Sequence, residues 1–244
     1  MIRILYIIFT LIMISCSDYI EQEQILDYNE YLYQGWVAFE TINIENKYPK
    51  DSTNSYYYDL ATDMFDVSEI ALNYEFESQN LEGPYYKTYN GLGWTKLYFA
   101  SEFLNPEQHF IRDSLRIESK FYFDRANQSL NSQLDNNQIL SQDKCDIFSG
   151  LSYAHYYIGL NYFDFDSSLF FSENLINECP LYTFEHDELD ISNIHYLRAK
   201  IYLYQDSLSN ACFEINAANN CSCDIDDVDI NILLDCLEQF SDQE

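Results

Sequence analysis

Seven cysteines, four histidines and a run of aspartates are the residues of this 244-residue chain with the most chemistry to offer. Cys145 opens one expected helix and Cys179 closes the next. In an antiparallel pair those two ends adjoin, so a Cys145–Cys179 disulfide is geometrically natural. By the chain-entropy model it would stabilise by ~3–4 kcal/mol. The last four cysteines, Cys212, Cys221, Cys223 and Cys236, read C-x8-C-x-C-x12-C. Cys221 and Cys223 are too close for an easy mutual bond, so each is expected to reach a helix, at Cys212 or Cys236. A four-thiolate zinc site is the competing reading, but the paired C-x2-C spacing of zinc ribbons is missing. With Cys16 set aside, six cysteines remain, and an even number favours disulfides and an oxidising compartment.

The other chemistry is thinner. His109, His155, His186 and His195 are scattered without ligand or catalytic spacing, and His155 and His195 fall among apolar helical neighbours as packing residues. Glu185-His186-Asp187-Glu188 reads as a solvated loop. The segment Asp224 to Asp229 invites a calcium-loop reading, but an EF-hand starting at Asp224 needs oxygen at its fifth position and glycine at its sixth. The chain has Val228 and Asp229 there, and its acids are better placed to enrich the first turn of a final helix. No G-x-S-x-G, H-E-x-x-H, P-loop or paired-acid signature occurs. No catalytic residue, metal or cofactor is therefore assigned, and the expectation is a non-enzyme.

Charge narrows the partners. Twelve basic residues face 41 acidic ones, a net charge of −29. Phosphate backbones are bound through Lys and Arg, so nucleic acid is not an expected partner. The few cations cluster: Arg112, Arg116 and Lys120 step by four along one expected helix, with Lys96 and Arg125 near in sequence. They are candidates for docking an acidic protein or peptide; the competing reading pairs them with acids of a neighbouring helix.

The elements that would position these residues are helical. With six Gly and four Pro the chain has few turn formers, while 23 Tyr and 17 Phe supply the bulk of a core. From Gln24, Ile25, Leu32, Trp36 and Phe39 recur at helical intervals. Leu60, Met64, Val67, Ala71 and Tyr74 mark a helix over about Tyr56 to Phe76. Helices over Tyr85–Leu104, Glu107–Leu134, Asp146–Tyr162 and Ser167–Asn177 follow, the second stacking Phe110, Ser114, Ile117 and Phe121. Asn105-Pro106-Glu107 supplies a cap, a first-turn proline and an acid. Asn193 to Ala218 is the cleanest hairpin of two short helices, and Asp227–Phe240 closes the chain with Ile230, Leu234 and Leu237 on one face. Alternation persists only in Tyr162 to Asp166. The expectation is one all-α domain over residues 24–244, about nine helices joined antiparallel.

Two family resemblances attach to these residues. Arg3, the apolar run Ile4 to Ile14 and Ser15-Cys16 resemble the leader and lipobox of bacterial lipoproteins, with Met13 in place of the usual leucine. Eleven apolar residues are too few to span a bilayer, which needs ~20. The resemblance implies a signal peptide over residues 1–15 and lipidation at Cys16. It also implies a tether over 16–23, and attachment at the cell envelope, with Ser17 leaning towards the outer membrane. Ala199, Tyr202, Ala211, Ile215 and Ala218 sit 3, 9, 4 and 3 apart, which resembles the tetratricopeptide repeat (TPR), although Asp206 replaces the usual glycine in the turn. Gly150 to Tyr153 and Gly91 to Trp94 repeat the small-x-x-aromatic step, at intervals of 49 and 59 against a family period of ~34. The resemblance implies a right-handed array of hairpins with a groove for a protein or peptide. Cys16-Ser17-Asp18-Tyr19-Ile20 also looks like the mature start of SusD-type glycan-binding lipoproteins, for which exposed Trp36 and Trp94 would be stacking platforms.

Overall fold

The computed structural model describes residues 27–45, 54–76, 83–103, 105–133, 141–162, 165–218, 221–225 and 227–241. The expected signal peptide, Cys16 and the tether lie outside them. The described residues form nine α-helices: α1 (Tyr28–Glu45), α2 (Asn54–Phe76), α3 (Tyr85–Ser101), α4 (His109–Gln133), α5 (Ser141–Tyr162), α6 (Asp166–Glu178), α7 (Ile191–Tyr204), α8 (Leu208–Ala217) and α9 (Ile230–Ser241). A 3-10 turn, Pro106–Gln108, leads into α4. No strand forms among them beyond one isolated bridge, Thr183 to Asp190. The all-helical expectation holds. None of these helices is long and apolar enough to cross a membrane.

Consecutive helices pack as neighbours, and a second contact pattern is superimposed. Alternate helices α1, α3, α5, α7 and α9 each pack against the next of their own set, whereas the backbones of α2, α4, α6 and α8 stay apart, with α2 and α4 meeting only through side chains such as Glu69 and Arg125. The molecule is thus two layers, a close inner row of odd helices and a spaced row of even ones. What sets the approach is small residues. A Cβ on Gly35 of α1 would stand 2.7 Å from the Phe65 ring, and one on Gly91 of α3 would meet the same ring. A Cβ on Gly93 would stand 2.7 Å from Phe123, whose ring Gly150 of α5 meets in turn. Both rings are fully buried. Gly35 and Gly93 are 58 residues apart, as are Phe65 and Phe123.

The even helices share a register. Ala61-Phe65-Ser68, Ser119-Phe123-Ala126, Ser168-Ser172-Leu175 and Ala211-Ile215-Ala218 have the same spacing of four and three, and none of the twelve is more than 2% exposed. Ser119 Oγ donates to Gly93 O at 2.9 Å and Ser168 Oγ to Ser152 O at 2.7 Å, at equivalent points of two hairpins. Hydroxyls that bond the neighbouring backbone let these helices meet without leaving a polar atom orphaned.

This register corrects three expected faces. In α4, Phe110, Ile117 and Phe121 are exposed (84%, 56% and 55%), and Leu115, Ser119, Phe123, Ala126 and Leu130 form the buried side. In α2, Tyr58, Ala61, Phe65, Ser68 and Leu72 are buried with Ala71, while Tyr74 points to solvent. In α9, Leu233, Cys236 and Leu237 are buried and Ile230 and Leu234 are exposed. The physical reason is common to α2 and α4: aromatics line both sides of these helices, and the side carrying small residues wins because only it allows close approach. In α9, the Cys236 disulfide fixes the inward face. Helix α5 also begins at Ser141, ahead of the expected Asp146, with Asp143 in its first turn. Cys145 therefore lies one turn inside it.

Replacing Gly150 with alanine is expected to cost about 1–3 kcal/mol, because its Cβ would overlap the Phe123 ring, which is fully buried and closely approached by Gly93 as well. Urea unfolding of Gly150→Ala, and of the same chain with Phe123→Leu added, reads this directly. The second change is expected to recover part of the loss.

Candidate functional site

The cationic residues singled out by their spacing are all engaged. Arg112 Nε lies 3.3 Å and Arg116 Nη1 3.8 Å from Asp113, and Lys120 lies 2.6 Å from Asp124, all within α4. Lys96 of α3 is 3.7 Å from Glu118, and Arg125 is 3.3 Å from Glu69 of α2. Arg116 also lies over the Tyr157 ring at 4.3 Å, and its partial burial lowers its pKa. Arg125 stacks on Tyr89 at 3.9 Å, and Tyr89 donates to Glu69 at 2.8 Å. Each cation of the stripe thus has an acid within 4 Å, within α4 as well as across to α2 and α3. Half-buried pairs of this kind contribute little individually and leave no row of unpaired charge.

The cysteines pair as spacing suggested. Cys145 and Cys179 bridge α5 to the end of α6, with Cα atoms 6.5 Å apart. Cys212 pairs with Cys223 and Cys221 with Cys236, each at 5.8 Å, so the segment ahead of α9 is stapled to α8 and to α9. Asp229 caps α9 by accepting from the Asn231 N–H at 2.8 Å.

The repeat-packing residues fall in the core. Gly91, Trp94, Gly150, Tyr153, Ala199, Ala211 and Ala218 are buried, and Tyr202 is partly buried beside Arg198. Trp94 is 1% exposed, and one face of Trp36 is covered by His186 at 3.8 Å and near-parallel. Neither tryptophan is the exposed platform that the SusD-type resemblance called for. His155 stacks on Phe171, consistent with packing. His195 does more than pack: its Nδ1 is 2.7 Å from Glu214, which also takes Arg198 Nε at 2.7 Å in a buried pair joining α7 and α8. Arg198 reaches on to Ser172 and Glu173 of α6.

The most built arrangement was not legible in any motif. The segment between α6 and α7 folds back as a short hairpin, with Phe184 N–H on Leu189 O at 2.7 Å and Ile191 N–H on Tyr182 O at 3.0 Å. It packs against the inner-row helices α1, α3 and α5. Phe184 packs on Trp94 at 4.6 Å, and on Trp36 and Phe39 at 6.1 and 6.4 Å. His186 bonds Glu40 at 2.7 Å, and Tyr98 donates to Asp187. Gln142 of α5 donates both to Thr183 O at 2.7 Å and to Asp146 at 3.0 Å. Glu185 to Glu188 is thus no simple solvated loop: aromatic burial on either side holds its His186 and Asp187 against α1 and α3. The signal in the sequence is the alternation Tyr182, Phe184, His186, a period of two between helical periods.

Beneath the hairpin sits a carboxyl kept from water. Asp146 is 6% exposed, and burial pushes its pKa up to about 7 against the opposing hydrogen bonds of Tyr182 and Gln142. The Asp143 and Glu185 charges push the same way. Asp143 is itself raised by burial, opposed by Lys87 and the Tyr86 hydroxyl. No protein-family model matches the chain, and no curated protein and no solved structure is similar to it. What the described residues define is an all-helical, disulfide-bridged molecule whose inner row carries its own hairpin.

The raised pKa of Asp146 has a signed consequence. The folded protein keeps a proton that the unfolded chain releases from about pH 4, so stability falls as pH rises from about 4 to about 7 and levels off above. Asp146→Asn removes the charge and keeps the Gln142 contact. It is expected to raise stability at pH 8 by ~1–3 kcal/mol, with the gain vanishing towards pH 4. Thermal unfolding of both proteins across that range measures it.

Proposed function

We propose that this chain is a lipid-anchored, non-catalytic helical scaffold that binds a protein or peptide partner at the bacterial cell envelope. The observation that carries the scaffold reading is the succession of helix pairs in one register, with odd helices close together and even helices spaced. Such packing turns the inner row towards the inside of a curve, as in TPR-like arrays, and offers an extended surface rather than a single catalytic pocket. On this reading the array is right-handed, as tetratricopeptide hairpins are. Three cysteine pairs at disulfide distance support an oxidising compartment. The Ser15-Cys16 boundary supplies the anchor, and several acyl chains would be needed for stable attachment, since a single one holds only marginally. The charge of −30 left after removal of residues 1–15 gives no electrostatic adhesion of its own to an anionic membrane.

In a bacterial host, the full chain is expected in the membrane fraction with labelled fatty acid on it. Cys16→Ser is expected to lose both the label and the fractionation. Crosslinking in native membranes is expected to capture a protein partner for the wild-type chain. An unlabelled chain in the soluble fraction would remove the anchor, and wild-type membranes without any captured protein would remove the scaffold.

A further inference from the structure

The inner faces of α1, α3 and α5 are the surface on which the scaffold reading would place a ligand, and they are already covered. The hairpin of residues 182–191 lies across all three, with Phe184 among Trp36, Phe39 and Trp94. Its two stems are fixed independently of that contact. Cys179 is bonded to Cys145 of α5, and Asp190 forms a reciprocal cap with Asn193 at the start of α7. The residues between these fixed points can therefore lift without unwinding either helix.

The α3 helix beneath the hairpin also carries unsatisfied polar atoms. Trp94 Nε1 and Asn90 Oδ1 are buried and have no hydrogen-bond partner. Both residues are at least nine-tenths buried, and they stand one helical turn apart on the stripe of α3 that runs from Tyr86 to Tyr98. That stripe faces α5 and the hairpin: Tyr86 reaches Asp143, and Tyr98 reaches Asp187. A donor and an acceptor left orphaned cost free energy that a better occupant would recover. An extended peptide backbone carries one acceptor and one donor per residue, the complement of an indole N–H and an amide oxygen. The aromatic cage around Phe184 adds a place for one planar side chain.

Resting on the scaffold reading, we propose that the 182–191 hairpin is a built-in occupant of the partner groove. It gives way to an extended peptide segment whose aromatic side chain takes the place of Phe184 and whose backbone bonds Trp94 and Asn90. The partner is thus a protein with an exposed strand-like segment bearing Phe, Tyr or Trp. The chain's own hairpin sets the threshold a ligand must pass, because bound and self-covered states compete for one surface.

Two measurements on the full-length chain test this. Native-state hydrogen exchange is expected to show the Phe184 and Ile191 amides opening at least about tenfold more readily than the buried amides of α3. Exchange of both sets only through global unfolding would overturn the proposal, since the hairpin would never leave. The second measurement titrates a fluorescent synthetic peptide copying residues 180–190. It is expected to bind the variant Phe184→Ser/His186→Ala about tenfold or more tighter than wild type. Adding Trp94→Phe, which removes the indole N–H, is expected to weaken that binding. A variant shown folded by circular dichroism that binds no better than wild type, or binding indifferent to Trp94→Phe, would also overturn it. Neither failure bears on lipidation or on partner capture in membranes, so the scaffold reading stands or falls separately.

Discussion

Two phenylalanine rings held between glycines set the distances on which the rest of the molecule depends. Phe65 fills the space that Gly35 and Gly91 leave open, and Phe123 the space left by Gly93 and Gly150. Each ring belongs to an even helix and reaches two odd ones, so it ties three helices at once. Because neither glycine can gain a Cβ without displacing a buried ring, the odd helices stay close enough to touch. The backbones of the even helices, which supply the rings, stay apart. A curved two-layer arrangement follows from steric exclusion before any polar contact is counted.

The same logic weakens and reappears along the chain. In the α5–α6 pair the ring position is Ser172, and Ser168 bonds the Ser152 carbonyl in the way Ser119 bonds that of Gly93. In α7–α8 it is Ile215 between Ala211 and Ala218. As the aromatic wedge disappears, covalent and ionic links take over. The Cys145–Cys179 bridge joins α5 to α6, the buried Arg198–Glu214 pair joins α7 to α8, and two further bridges tie the segment ahead of α9 to its neighbours. A buried ion pair is weak evidence of net stability, and here it links the two helices of the α7–α8 hairpin.

Much of this was readable from residue types. Helix number and class followed from scarce Gly and Pro and from three-four spacing, and the Cys145–Cys179 pairing followed from where two helices end. The Gly91 and Gly150 steps marked close contacts, although the wedge that explains them lies on a different helix, tens of residues away. The buried face of α4 is not set by period, since Phe110, Ile117 and Phe121 recur as Leu115, Ser119 and Phe123 do; periodicity alone cannot choose between two apolar stripes, and in α2 and α4 small residues decide. The hairpin over the inner row was hidden for another reason. Thr183, Glu185 and Asp187 look solvated, and only the three-dimensional neighbours of Tyr182, Phe184 and His186 show that alternate residues point inward.

What distinguishes this molecule from a bare helical array is therefore the occupied inner face, and with it the buried carboxyl of Asp146 and the unmatched polar atoms of Asn90 and Trp94. The most direct measurement of that arrangement is intramolecular photo-crosslinking from position 184, using photo-leucine in place of Phe184 in the purified chain. Crosslinked peptides containing Trp36 and Trp94, from α1 and α3, are expected. Crosslinks confined to α6 and α7, or to solvent alone, would contradict this arrangement.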